Sequence, residues 1–138
     1  MKTLLISYKQ ALKEKYSFHE ISLMFRELVS KRCNVSTQNL YFLEDINCTA
    51  DSRELLLSDL ERLASGEPFQ HILGYTEFCG LKLNVNKNVL IPRQETTELV
   101  EWITANEKSP NKILDVGTGS GCIALAMKKS FPQSEVWA

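Results

Sequence analysis

Hydrophobic and polar positions divide the chain into two parts with different periods. Up to about residue 65 the apolar positions recur at helical spacing, beginning with Leu4, Leu5, Tyr8, Ala11 and Leu12. Ser17, followed three residues later by Glu20, is a capping-box signature. The helix it opens places Ile21, Met24, Phe25, Leu28 and Val29 on one stripe. Ser36 or Thr37 is placed to cap a short third helix through Leu40 and Leu43. Asp51 is read as the cap of a fourth helix, with Leu56, Leu60, Leu63 and Ala64 inward and Gly66 as its stop. This part reads as a small helical bundle.

After Gly66 and Pro68 the period changes. Leu81, Leu83 and Val85 alternate with Lys82, Asn84 and Asn86, the period-two signature of a half-buried strand. Tyr75–Phe78, ahead of Gly80, supplies the other arm of a hairpin. Val89-Leu90-Ile91 runs into Pro92, and a helix is expected from about Gln94 to Asn106, burying Leu99, Val100 and Ile103. Lys112–Val116 reads as a buried parallel strand, because apolar residues flank its single acid on both sides. A glycine-rich loop follows, then an apolar helix through Ile123, Ala124, Leu125 and Met127 that Pro132 ends. Val136-Trp137-Ala138 begins a second strand. The fold class is therefore α+β, in three segments: a helical bundle over 1–73, a β-hairpin linker over 74–92, and the first β-α-β elements of an α/β domain over 93–138.

Composition narrows the function classes. Sixteen Lys and Arg against seventeen Asp and Glu leave a net charge of -1, so no basic surplus recruits a nucleic-acid backbone. No apolar run approaches the roughly 18–20 residues of a membrane helix, and the apolar start Leu4-Leu5-Ile6 is too short for a secretory signal. The expectation is a soluble cytoplasmic protein. Cys33, Cys48, Cys79 and Cys122 contain no C-x-x-C pair and read as reduced thiols. His19 and His71 lie outside any ligand spacing, so no metal site is expected.

The chemistry lies in Asp115-Val116-Gly117-Thr118-Gly119-Ser120-Gly121, between a strand and a helix, where nucleotide-like ligands meet an α/β sheet. Glycine permits both the sharp turn and close approach of a ligand to the backbone. The following helix offers free N–H groups. A dinucleotide fingerprint requires G-x-G-x-x-G, and its third position here is Cys122. A phosphate-binding P-loop requires a lysine that this loop lacks. The acid-x-Gly-x-Gly-x-Gly pattern is instead similar to the first motif of S-adenosylmethionine-dependent methyltransferases with a Rossmann-like sheet. Their cofactor has no phosphates and lays its amino-acid end and ribose against the loop. Asp115 is placed to orient the ammonium end of that cofactor, directly or through water.

Three further segments sharpen the likeness. Gly66-Glu67-Pro68-Phe69-Gln70-His71-Ile72-Leu73-Gly74, Phe78-Cys79-Gly80-Leu81 and Val89-Leu90-Ile91-Pro92-Arg93-Gln94-Glu95-Thr96 together resemble the HemK-type protein-(glutamine-N5) methyltransferases. That family methylates the glutamine of the Gly-Gly-Gln motif in peptide chain release factors. The resemblance implies S-adenosylmethionine as cofactor, a release factor as protein substrate and a docking role for the helical bundle. It implies Asp115, Gly117, Thr118, Gly119, Ser120 and Gly121 as cofactor-binding residues, with Arg93, Glu95 and Thr96 near the cofactor pocket. Those last three suit a helix N-terminus equally well. The family usually reads Arg-Pro-Glu-Thr followed by an acid, where this chain has Arg93-Gln94-Glu95-Thr96-Thr97, which weakens transfer to Gln94 and Thr97. His71 reads as a packed residue rather than a base, and Trp102 and Trp137 as core or interface.

The family's substrate-gripping Asn-Pro-Pro-Tyr motif does not occur in residues 1–138, so no catalytic residue is assigned and the chain is expected to be an inactive N-terminal piece of a longer enzyme. With the sheet incomplete, self-association through residues 112–138 is expected. Two rival readings remain. An adenine-N6 nucleic-acid methyltransferase shares the glycine loop but normally adds basic surface, and residues 1–74 alone would also suit a protein-binding helical module.

Overall fold

A computed structural model describes residues 1–36, 46 and 48–138, and the chain divides into two compact units, Met1–Leu73 and Gly74–Ala138. The short third helix expected through Leu40 and Leu43, with Thr37 as a candidate cap, lies outside the described residues. Ser36 is in exposed coil.

The N-terminal unit contains α1 (Lys2–Leu12), α2 (Phe18–Cys33), α3 (Ala50–Ser65) and α4 (Phe69–Leu73). α1 buries Leu4, Tyr8 and Leu12 at four-residue spacing, leaving Leu5 half-buried and Ala11 exposed. The capping box of α2 forms as expected: the Glu20 N–H donates to Ser17 Oγ at 3.3 Å, and the Ser17 N–H donates to Glu20 Oε2 at 2.8 Å. Those hydrogen bonds hold the Glu20 carboxyl below the usual carboxylate range. All five stripe residues of α2 are buried. The Tyr8 ring meets Phe25 edge-on at 4.9 Å, and its hydroxyl donates to the Leu56 carbonyl at 2.5 Å.

Two expectations for α3 are corrected. Its cap is Thr49, whose Oγ1 accepts from the Ser52 N–H at 3.1 Å, while Asp51 sits inside the first turn. The cap bond of α3 is made by Thr49, and Asp51 contributes its charge at the positive helix end. Thr49→Ala is accordingly expected to cost about 1 kcal/mol and Asp51→Ala no more than about 0.5 kcal/mol, read from urea unfolding followed by helical circular dichroism. Equal losses would contradict the assignment. Second, Leu56 and Leu63 are buried, but Leu60 is only half-buried and Ala64 is exposed. The remaining inward position belongs to Asp59, 2% exposed.

Asp59 tolerates that burial because it is paired. Arg32 on α2 donates from Nε and Nη2 to its two oxygens, both at 2.8 Å, and Arg62 approaches at 3.8 Å. Arg62 is held in turn by Glu67, at 2.7 and 2.5 Å. Gly66, with φ +94, ends α3 as its sequence position predicts. α4 was not expected from sequence. Pro68 precedes it and accepts the His71 and Ile72 N–H groups, so the residue read as a breaker starts the next turn. Ile72 and Leu73 are buried, and Lys31 Nζ donates to the Leu73 carbonyl.

In the C-terminal unit β1 (Tyr75–Phe78) pairs antiparallel with β2 (Leu81–Asn84), Tyr75 opposite Asn84 and Phe78 opposite Leu81. The connecting Cys79 and Gly80 have φ of +49 and +66, the handedness that matches strand twist in two-residue hairpins. Leu83 and Val85 point inward, as the alternation predicts. α5 (Gln94–Asn106) buries Val100, with Ile103 half-buried, whereas Leu99 is exposed rather than buried. β3 (Lys112–Leu114), α6 (Cys122–Ser130) and β4 (Glu135–Trp137) form a strand–helix–strand unit with the two strands parallel and Leu114 opposite Trp137. Phe78, Leu83, Val100, Cys122, Ala126 and Met127 make the core of this unit. α6 packs on the strand pair and α5 packs on α6. The strand face carrying Leu114 and Trp137, 71% and 57% exposed, is bare among the described residues. Trp102 is exposed as well, so neither tryptophan is a core residue here.

Candidate functional site

The loop that leaves β3 is shaped by backbone demands. Asp115 extends the strand ladder, its N–H donating to the Trp137 carbonyl at 2.9 Å. The chain then turns through three glycines with φ of +79, +59 and +76 at Gly117, Gly119 and Gly121, a region costly to any residue with a Cβ. The turn closes where the Gly121 N–H donates to the Thr118 carbonyl at 3.0 Å, and the Leu125 N–H bonds to the Gly121 carbonyl at 2.9 Å to begin α6. Gly121 is the N-cap and supplies no side chain, so the first amides of α6 have no side-chain cap.

The loop's side chains organise themselves. Thr118 Oγ1 donates to Asp115 Oδ2 at 2.8 Å, fixing the carboxylate across the base of the loop. Asp115, Thr118, Ser120 and Gly121 are half-buried, while Gly117 and Gly119 are exposed. A Cβ built on Gly117 would meet nothing within 4 Å, and one on Gly119 only the Gly117 carbonyl at 3.9 Å. These glycines are thus not required by protein packing: the space over Gly117 is open. That arrangement suits a ligand with a cationic amine and hydroxyls, pressed close to the main chain, and it offers no lysine for phosphate.

Arg93, Glu95 and Thr96 occupy the start of α5. Arg93 is the N-cap without a side-chain cap bond, Glu95 is the acid of the first turn, and the Thr96 N–H donates to the Arg93 carbonyl at 3.1 Å. Among the described residues no hydrogen bond or ion pair joins these three to the glycine loop; the helix-terminus role is the one the structure displays. The hairpin packs against the start of α6: the partly buried Cys79 lies against the core cluster that holds Cys122, the first residue after the loop, and burial pushes its thiol pKa up. Lys129 Nζ, near the end of α6, donates to the Cys79 and Gly80 carbonyls, both at 3.0 Å. Sequence reasoning missed Lys129 and Cys79, since a lysine at a helix end and a lone cysteine carry no pattern that signals a tertiary bond.

His71 lies on α4, half-buried, with Nε2 buried and unpartnered among the described residues. A cleft of about 210 Å³, lined by residues 108–111 and 130–134, lies at the opposite end of the strands from the glycine loop and holds no cluster of titratable groups. Among the described residues no three His, Cys, Asp or Glu side chains could hold a metal, and no helix is long and apolar enough to cross a membrane.

Residues 3–74 match the family model described as the PrmC N-terminal domain. The chain is 37% identical over 128 residues to the release factor glutamine methyltransferase of Bacteroides thetaiotaomicron, covering 93% of this chain and 46% of that protein. It is 38% identical over 138 residues to the protein of the same name from Flavobacterium psychrophilum, covering 95% and 48%. Against that of Lactococcus lactis the identity is 52% over 83 residues, 59% of this chain and 31% of the relative. The chain spans about half the length, or less, of these relatives.

Proposed function

Because this chain belongs to the release factor glutamine methyltransferase family, we propose that its 138 residues supply the docking and cofactor-holding parts of an enzyme that methylates a glutamine side-chain amide. The target is the glutamine of the Gly-Gly-Gln motif in peptide chain release factors, and the methyl donor is S-adenosylmethionine. In this reading residues 1–73 dock the release factor, 74–92 form the linking hairpin, and 93–138 open the Rossmann-like cofactor domain. The protein then acts in the cytoplasm, where release factors work, and its balanced charge gives it no direct nucleic-acid role.

The observation that carries the reading is the glycine loop, three glycines of positive φ with open space over Gly117 and the Asp115 carboxylate fixed by Thr118. Bound S-adenosylmethionine supplies a methyl group on a positively charged sulfur. Asp115 is suited to the ammonium end of that molecule and Gly117, Gly119 and Gly121 to its close approach; Thr118 and Ser120 add hydroxyls. Arg93, Glu95 and Thr96 complete the proposed pocket from the start of α5. An amide nitrogen is a weak nucleophile, so the reaction depends on acceptors that position it and stabilise charge. Residues 1–138 hold no Asn-Pro-Pro-Tyr to do this, and alone they are expected to transfer no methyl group.

The test is methyl transfer from labelled S-adenosylmethionine by the protein carried to its natural stop codon. Acceptors are a release factor, the same factor with its Gly-Gly-Gln glutamine changed to alanine, and duplex DNA. Label in the first alone supports the reading; label in DNA, or in none, removes it. Residues 1–138 are further expected to self-associate through the bare face of Leu114 and Trp137. Sedimentation equilibrium should show mass rising with concentration, and Leu114→Lys should restore a monomer. A monomer at all concentrations in the unsubstituted chain would exclude that association.

A further inference from the structure

Phe78-Cys79-Gly80-Leu81, a segment to which the proposed methyl transfer gives no part, is the tip of the β1–β2 hairpin. Phe78 and Leu81 are the last paired residues, so the Cys79 and Gly80 carbonyls lie beyond the ladder. Lys129, in the last turn of α6, donates from Nζ to both, each at 3.0 Å. Gly80 is what admits it, since a Cβ there would stand 2.8 Å from Nζ. The rest of the hairpin meets the same helix through apolar side chains, Phe78 and Leu83 sharing a core with Cys122, Ala126 and Met127. Apolar contact holds hairpin and helix together but has no direction. Two charge-assisted hydrogen bonds at the tip supply one. The neighbouring Lys128 serves instead the chain just past its own helix, donating to the Pro132 and Ser134 carbonyls at 3.0 and 2.8 Å.

We propose that Lys129 is a positioning residue for the methyl transfer: it locks the hairpin onto the helix that opens with the glycine loop, and so fixes the point at which the docking helices join the cofactor-holding segment. This rests on the docking role proposed for residues 1–73. Only Gly74 separates α4 from β1, so the docking helices are attached directly to the hairpin. The hairpin itself, expected from sequence to be a linker, belongs to the compact unit Gly74–Ala138. Any play of the hairpin on α6 is therefore play in the attachment of the substrate-docking helices. Lys129 touches no reacting group and acts only through the hairpin. Its effect falls on productive binding of the protein substrate rather than on cofactor affinity or the chemical step.

The experiment compares Lys129→Met, Lys129→Arg and Lys128→Met in the protein carried to its natural stop codon, with a release factor and labelled S-adenosylmethionine. Lys129→Met should raise the KM for the release factor about fivefold, with kcat and the cofactor Kd within about twofold of the unsubstituted protein. Lys129→Arg, which keeps the charged donors, should recover most of that loss, and Lys128→Met should leave the KM unchanged. In the 138-residue chain, amide exchange over residues 76–83 should quicken about tenfold in Lys129→Met and not in Lys128→Met. An unchanged KM, an equal rise in Lys128→Met, a matching loss of cofactor affinity, or unaltered exchange at the hairpin would each overturn the proposal. If the unsubstituted protein labels no release factor, the methyl-transfer reading has failed and takes this proposal with it. A labelled release factor with the KM unmoved in Lys129→Met removes the role of Lys129 alone.

Discussion

Arg32→Ala is expected to destabilise the N-terminal unit by about 3–5 kcal/mol, the cost typical of removing one partner of a buried ion pair. The prediction rests on an asymmetry of exposure. Asp59 is 2% exposed and cannot recover water when Arg32 leaves, and Arg62 at 3.8 Å is occupied by Glu67. In the reverse substitution, Asp59→Ala, the abandoned Arg32 is 18% exposed and can reach solvent along its flexible stem. Asp59→Ala is therefore expected to cost less than Arg32→Ala, by about 1 kcal/mol or more. The pair also anchors α2 to α3 where Ser52 bonds to the Arg32 carbonyl. Urea unfolding of the whole chain followed at 222 nm measures both variants. Equal small losses, near those of surface pairs, would show that the network is solvated.

That network also marks the limit of what the sequence discloses. The α2 stripe, its capping box, the alternation along β2 and the span of α5 were all legible, because each depends on residues within four positions of one another. Asp59 was not. A helical stripe assigns inward positions by apolarity, and Leu60 outranks Asp59 on that basis until Arg32, twenty-seven residues away, is known to neutralise it. Leu99 failed for a similar reason: α5 presents Val100 fully and Ile103 partly to its core, and Leu99 is left exposed among the described residues. α4 was hidden because Pro68 reads as a stop, while its position ahead of a short turn makes it a start. At the candidate site the glycines announced themselves, since their conformational requirement is local. The Thr118–Asp115 bond and the Lys129 staple could be drawn only once the backbone had placed donor and acceptor together.

Gly117→Ala is expected to weaken S-adenosylmethionine binding by roughly two orders of magnitude while leaving the fold intact, measured by calorimetry on the protein carried to its natural stop codon. Two effects add. At φ +79 an L-residue costs about 1–2 kcal/mol, which the loop sheds by turning away from its binding-ready shape. The methyl that remains projects into the open space over the loop, where a Cβ meets no protein atom and only a ligand could be displaced. Gly121→Ala separates these effects. Its φ is also positive, at +76, but its Cβ would meet Leu125 Cδ1 of α6 at 3.8 Å, where a Cβ on Gly117 meets no protein atom. That substitution should strain the start of α6 and lower thermal stability by an amount similar to Gly117→Ala, with a distinctly smaller loss of affinity. Thr118→Val, which releases the Asp115 carboxylate, should fall between them at about tenfold, the worth of one hydrogen bond to a charged group. If Gly117→Ala and Gly121→Ala lose affinity in proportion to stability alone, the loop is only a structural turn and the cofactor lies elsewhere. A loss at Gly117 out of proportion to stability would make the open face of this loop the cofactor's seat.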